Sequence, residues 1–160
     1  MIRPATRADD DAIWQIFQAV IRPGDTYVFD PSMPRQEALA YWFHPGNSAW
    51  VLEEAGSILG IYILKPNQPA LGSHVANAAF MVAPGARGAG VGRRMGEHCI
   101  AQARALGFHS MQFNFVVSTN EAAVQLWKRL GFAIVGTLPG AFRHARLGYV
   151  DAYVMFRRLA

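Results

Sequence analysis

One cysteine, Cys99, is the whole of the thiol chemistry available to the sequence. It cannot form an internal disulfide, it falls in an apolar helix stripe, and it fits a reducing compartment rather than a catalytic role. Long apolar runs are also missing. Nothing approaches the roughly 18 uninterrupted apolar residues of a membrane span, and the opening Met1, Ile2, Arg3 and Pro4 show no signal-peptide core. No membrane partner is expected, and the expected location is cytoplasmic. Charge is scarce, at 16% of residues against 52% hydrophobic, which excludes a disordered chain. The balance is +4 with a pI near 9.6. Basic residues adjoin only at Arg93-Arg94, Lys128-Arg129 and Arg157-Arg158, and no basic run is interleaved with aromatics, so no nucleic acid is expected as a partner. Internal repeats and low-complexity segments are absent. At 160 residues the chain is read as one domain, 1–160.

What the sequence does have is concentrated between residues 78 and 101. Residues 78–83 are apolar throughout, too short for a helix, and closed by Pro84, which reads as a strand buried on both faces. Gly88, Gly90 and Gly92 follow. They free the backbone to converge several N–H groups on one point, in front of a helix in which Val91, Met95, Cys99, Gln102 and Leu106 recur at helical spacing until Gly107 stops it. The positive end of that helix dipole lies at the glycines, with Arg87, Arg93 and Arg94 around it, and a pyrophosphate is the expected ligand. A P-loop is excluded, because Gly92 is followed by two arginines rather than Lys-Ser/Thr. A dinucleotide fingerprint from Gly88 fits poorly, since its third glycine falls on Arg93 and no acidic residue follows about 20 positions on. The remaining pattern is Arg87-x-x-Gly90-x-Gly92 after Val82-x-Pro84. The plain alternative is a glycine-rich turn with no ligand, against which stands the cost of three glycines at a helix start without evident packing return.

The rest of the chain reads in order as follows. Residues 2–5 form a short strand, and Thr6 or Asp9 caps a helix with an Ile13, Ile16, Phe17, Val20 face. Asp9, Asp10 and Asp11 suit a helix N-terminus; consecutive carboxylates diverge on a helix, so no metal is expected. An aromatic connection holding Tyr27 and Phe29 leads to a second helix over 35–44. Residues 49–54 and 57–64 read as a hairpin about Ala55-Gly56. Asn77 and Asn114 each place an amide inside an apolar strand, where it must be hydrogen-bonded to the fold or to a ligand. A helix capped over 118–121 buries Ala123, Val124, Trp127 and Leu130. A strand over 132–137, a loop through Pro139-Gly140 and Arg143 to Arg146, and a last strand over 149–156 complete the chain. The order β-α-α-β-β-β-α-β-α-β-β predicts an α/β (α+β) fold, a mixed sheet of about seven strands with helices on both faces.

The arginine-glycine turn resembles the acyl-coenzyme-A loop of the GNAT N-acetyltransferases. Asn120, Ala123, Leu126, Trp127, Gly131, Phe132 and Gly136 independently resemble that family's motif N-x-x-A-x-x-L-Y-x-x-x-G-F-x-x-x-G. The resemblance covers nearly the whole chain and implies a GNAT fold with acetyl-CoA as cofactor. It also implies roles for named residues. Phe80, Met81 and Val82 offer backbone partners to the pantetheine arm, while Arg87, Gly88, Ala89, Gly90, Val91, Gly92 and Arg93 hold the pyrophosphate. Asn120 contacts the cofactor, and Tyr27 and Phe29 line the acceptor site. A β-bulge near Met81 and Val82 is expected to splay the central strands. Trp127 departs from the pattern: many members have a tyrosine there that protonates the leaving thiolate, and indole has no useful acidity. The C-terminal part is similar to small-molecule branches, including phosphinothricin-type and proline-analogue acetyltransferases.

These readings give an expected function. A small-molecule amine, an amino acid or its analogue, attacks acetyl-CoA directly in a ternary complex, with Asn77 and Asn114 positioning the neutral amine. His74, Glu53 and Glu54 are weaker candidates for a base. The alternatives are acetylation of a peptide or protein amine, and a CoA-binding module without turnover. The last strand and the apolar composition suggest a homodimer.

Overall fold

The computed structural model describes all residues, 1–160. Seven strands and four α-helices follow the predicted order: β1 Ile2–Pro4, α1 Asp10–Ile21, α2 Arg35–Trp42, β2 Ser48–Glu54, β3 Ser57–Pro66, β4 Val75–Val82, α3 Val91–Ala105, β5 Ser110–Val117, α4 Glu121–Arg129, β6 Ala133–His144 and β7 Gly148–Arg158. They build one mixed sheet in the order β1-β2-β3-β4-β5-β7-β6. Every neighbouring pair is antiparallel except β4 and β5, which run parallel. No helix is long and apolar enough to cross a membrane.

Strand alternation divides the core between the two faces. On one side α1 and α2 pack Ile13, Phe17, Ala38 and Trp42 onto Val51, Ile61, Ile63 and Met81. On the other, α3 and α4 pack Val91, Met95, Cys99 and Trp127 onto Leu52, Tyr62, Leu64, Ala76 and Met111. The α3 stripe is Val91, Met95, Cys99 and Ala103, with Gly96 and Ile100 beside it; Leu106, expected on it, is 61% exposed because the helix has ended by then. Close approach of α3 to β3 depends on Gly60, where an added Cβ would lie 2.7 Å from both Met95 and Val91 side-chain atoms. The β2–β3 hairpin turns on Ala55 and Gly56, both at positive φ, as a tight two-residue loop requires.

Two expectations need correction. First, β4 pairs with β3 in unbroken register from Gly60↔Val82 to Pro66↔Ala76, so no bulge lies near Met81. The bulge is on β5 instead, between Phe113 and Val116, where one extra residue is accommodated against β7. Second, β6 runs on to His144, through the segment read as a loop. Pro139 is tolerated because β6 is the sheet's edge and its register shifts between Leu138 and Phe142. Gly140 N–H there donates to Asp151 Oδ1 at 2.9 Å. The tip of this long hairpin reaches the connection after α1, with Ala145 N–H donating to Gly24 C=O at 3.0 Å.

The N-terminus is fastened by Asp9. Its carboxylate accepts two Arg3 guanidinium bonds, at 2.8 and 2.9 Å, and the Thr6 N–H at 2.8 Å. The Arg3 bonds hold the Asp9 carboxyl below the usual carboxylate range. A carboxylate depressed in the folded state stabilises fully above its unfolded pKa and loses that contribution as pH falls through its folded value. Asp9→Asn should therefore cost about 2 kcal/mol at pH 7 in urea denaturation, and the difference from the parent should vanish in acid below the folded pKa of Asp9.

Candidate active site

The parallel pairing of β4 with β5 is short. It holds at Val75↔Ser110 and Ala76↔Met111 and then stops, so the two strands part at Asn77 and leave an open seam in the middle of the sheet. Because β4 remains paired to β3 with Ala83 N–H donating to Leu59 C=O, antiparallel alternation turns the backbone groups of Ala78, Phe80 and Val82 away from β3 and into the seam. Each needs a partner that β5 no longer provides. Ala78 N–H donates to the side-chain Oδ1 of Asn77 at 2.8 Å. Phe80 is satisfied by Tyr27, whose hydroxyl donates to Phe80 C=O and accepts from Phe80 N–H at 3.1 Å. Burial pushes the Tyr27 phenol well above its usual value, so it remains a neutral donor and acceptor. Val82 N–H has no protein acceptor. The three residues expected to offer backbone partners thus differ. Phe80 is engaged by Tyr27, Met81 turns its backbone to Ile61, and Val82 alone presents an unpaired amide to the seam.

At the C-terminal end of β4 the chain makes a short helical turn over Pro84–Ala86 and enters the glycine segment. Gly88 and Gly90 have φ of +79° and +76°, conformations that other residues adopt only under strain. Gly92 serves packing, since an added Cβ would come within 3.3 Å of Leu126 on α4. This return on Gly92 was not visible in the sequence. The N–H groups of Gly88, Gly90, Val91, Gly92 and Arg93 have no protein acceptor, whereas Arg87 and Ala89 make long turn bonds of 3.4 and 3.3 Å to Pro84 and Ala86. A cradle of unpaired amides at a helix N-terminus fits an anion. Of the surrounding arginines, Arg93 pairs with Glu97 at 2.8 Å and Arg94 with Glu54, while exposed Arg87 has no carboxylate partner. On α4, Asn120 Oδ1 accepts the Ala123 N–H at 3.4 Å as a helix cap, leaving its side-chain NH₂ unpaired.

The face of the seam toward α1 and α2 is polar at its base and aromatic at its side. The β5 bulge turns Asn114 outward, so this residue is exposed rather than buried as the apolar run suggested. Its Nδ2 donates to Asn67 Oδ1 at 2.6 Å, and its Oδ1 accepts from Gln112 at 3.0 Å. Asn77 lies between these strands, its NH₂ unpaired. Beside them, Tyr27 stacks on Phe29 at 5.9 Å and Phe29 meets the Tyr41 ring edge-on at 5.0 Å. On the opposite face, Phe80, Phe113 and Phe132 surround Trp127 at 4.8, 4.6 and 5.9 Å, and Trp127 is only 7% exposed.

The candidate bases lie elsewhere. Glu53 is bonded to Arg3 at 2.8 Å, and Glu54 is held ionised below its usual range by the Arg94 hydrogen bond. His74 precedes β4, 5.7 Å from the His109 ring and at the end of the strand opposite the glycine turn. Sequence reading missed Asn67, Lys65 and Tyr41, and the seam-side role of the Tyr27 hydroxyl. Only the proximity of polar residues to the end of a strand could have hinted at the first two.

A seam in a mixed sheet opens beside an amide cradle at a helix start, a form that suits a ligand with an anionic head and an extended arm. Comparison with known proteins identifies the family. Residues 12–132 match the model of the Acetyltransferase (GNAT) family. N-acetyltransferase aca1 of Schizosaccharomyces pombe is 34% identical over 84% of this chain and 72% of its own. A solved GCN5-related N-acetyltransferase from Kribbella flavida is 42% identical, with TM-score 0.94 over 99% of this chain and 96% of its own. The structure of yncA, a putative acetyltransferase of Salmonella typhimurium with its cofactor acetyl-CoA, is 25% identical, with TM-score 0.88 over 100% of this chain and 94% of its own. The chain belongs to the GNAT family of acetyltransferases. It is accordingly an acyltransferase whose cofactor is acetyl-CoA.

Tyr27→Phe leaves the Phe80 N–H and C=O without a partner inside the sheet. It should lower unfolding stability by about 1–3 kcal/mol, measured by chemical denaturation; an unchanged midpoint would show that water replaces the hydroxyl at no cost.

Proposed function

We propose that the protein acetylates the primary or secondary amine of a small molecule, an amino acid or its analogue, in a ternary complex with acetyl-CoA. The observation that carries the small-molecule reading is the aromatic wall on the acceptor side. Tyr27, Phe29 and Tyr41 form a continuous wall, and the β6–β7 tip bonds to Gly24 just ahead of that wall. An extended peptide would need this side open.

Acetyl-CoA supplies an activated acyl carbon and a thiolate leaving group. Residues 87–93 and Asn120 are assigned to its polyphosphate and arm, and Val82 N–H is assigned to the acyl oxygen, where charge develops during attack. Asn77 and Asn114 hold the attacking amine. Each carbonyl oxygen already accepts one protein N–H and has a second lone pair to accept from an amine N–H, which leaves the nitrogen lone pair directed at the acyl carbon. No carboxylate or imidazole is bonded into this polar strip, so the amine reaches it already neutral, its proton lost to solvent. Trp127 serves as packing at the seam, and a thiolate of modest basicity leaves without a side-chain acid. The protein is further proposed to be cytoplasmic and a homodimer. Its sheet ends at β6, where Val135 is 60% exposed and Ile134 and Leu138 are 36% and 38% exposed, and light scattering after gel filtration measures the mass.

The test is thiol release from acetyl-CoA over a panel of amino acids, polyamines, aminoglycosides and peptides. Amino acids should be the best acceptors, and peptides turning over faster would favour the protein-directed reading. Asn77→Ala and Asn114→Ala should each lower kcat/KM by roughly tenfold or more, as loss of a polar contact to the reacting group implies. Full activity of Asn114→Ala would remove it from the mechanism. The kcat/KM against pH should rise until the acceptor amine's own pKa, with no earlier plateau from an enzyme base. Gly90→Val, which forces a branched side chain to positive φ, should weaken CoA binding in calorimetry.

A further inference from the structure

The chain has thirteen arginines but only two lysines, Lys65 and Lys128. Lys128 lies in the last turn of α4, where a cation is ordinarily favoured. Lys65 is different. It sits near the end of β3, half-buried, and enters no ion pair with any carboxylate of the chain. Its ammonium group lies 5.6 Å from the centre of the Tyr41 ring. Across the β3–β4 ladder its register partner is Asn77, the first residue past the point where β4 and β5 part. Directly opposed residues on adjacent antiparallel strands are about 5 Å apart at Cβ, comparable to the span of a single amino-acid head.

The surroundings fit an incoming anion. Lys65 lines a cavity of about 400 Å³ with Tyr41, His44, Asn47, Asn67 and Gln68, and no Asp or Glu is among the lining residues. Three of the other polar groups there are already engaged: His44 Nδ1 accepts Gly46 N–H at 3.1 Å, Asn47 Nδ2 donates to the carbonyls of Tyr41 and Trp42, and Asn67 Oδ1 accepts from Asn114. The aromatic wall of Tyr27, Phe29 and Tyr41 runs from the seam at Phe80 to this ammonium group, joining the place of acyl transfer to the place of unpaired positive charge.

We propose that Lys65 is a specificity-determining residue that binds the carboxylate of the acceptor, so that the substrate class is amines bearing a carboxylate next to the reacting nitrogen. This rests on the acetyltransferase reading above: the amine lies at Asn77 and Asn114, the carboxylate at Lys65, and the side chain against the aromatic wall. Lys65 acts in binding and has no part in bond making.

The experiment compares α-amino acids with their methyl esters, using wild type, Lys65→Met and Lys65→Arg, by steady-state kinetics with acetyl-CoA and by calorimetric binding in the presence of CoA. Met retains the apolar stem against Tyr41, and Arg retains the charge. For the free acids, Lys65→Met should raise KM and Kd by roughly ten- to a hundredfold, the loss expected of a charge-assisted hydrogen bond. KM for the esters and for acetyl-CoA should be unchanged, kcat should fall little, and Lys65→Arg should recover most of the loss. Equal effects on acids and esters, or no preference of wild type for acids, would overturn the proposal while leaving acetyl transfer in place. Lys65-dependent binding of acids without turnover would sustain the subsite and overturn the proposed acetylation of amino acids.

Discussion

The early end of the β4–β5 pairing is the constraint on which this structure turns. Two parallel strands hydrogen-bonded along their length would form an ordinary closed sheet; here the ladder stops after Ala76 and Met111. Every seam-facing backbone group of β4 beyond that point needs another partner, because a buried, unpaired amide or carbonyl costs about as much as a lost hydrogen bond. The fold satisfies these groups unequally. Asn77 covers Ala78 and Tyr27 covers Phe80, while Val82 remains open. The same residues that make the gap tolerable therefore define its shape, and the groups left unpaired are where a ligand gains most from binding.

The helix start beyond β4 repeats the pattern. Gly88 and Gly90 adopt positive φ, Gly92 admits Leu126 at close range, and five consecutive or near-consecutive amides are left without acceptors. Seam and cradle are joined by only a few residues after Val82, so an anionic head and an extended arm are addressed by one continuous stretch of backbone. At the proposed acceptor end side chains contribute instead: Asn77 and Asn114 at the seam, and Lys65 against Tyr41 of the aromatic wall. In the proposed site the two halves draw on different chemistry: main-chain amides for the cofactor, and amides, an ammonium group and rings for the acceptor.

Much of this was legible in the residues. The glycine spacing, the proline closing β4 and the helical stripe of α3 mark the strand, the turn and the helix start because they report local backbone needs. Asn77 and Asn114 stood out as amides in apolar runs, and both fall at the seam. What could not be read depends on distant partners. The Tyr27 hydroxyl finds Phe80 across more than fifty residues, and the hairpin tip finds Gly24. Pro139-Gly140 looked like a turn because a proline ordinarily ends a strand; only the edge position of β6 makes it harmless. The bulge was expected on β4 and lies on β5, since register shifts depend on which strand must bend, and the sequence of one strand does not say so.

A titration of the ¹⁵N-labelled protein with CoA, followed by amide chemical shifts, tests the central claim most directly. The account predicts that the amides of Gly88, Gly90, Val91, Gly92 and Arg93, together with Val82 on the seam, move in proportion to saturation, while Phe80 stays bonded to Tyr27. Shifts that spare both the glycine turn and Val82 and cluster elsewhere would contradict it.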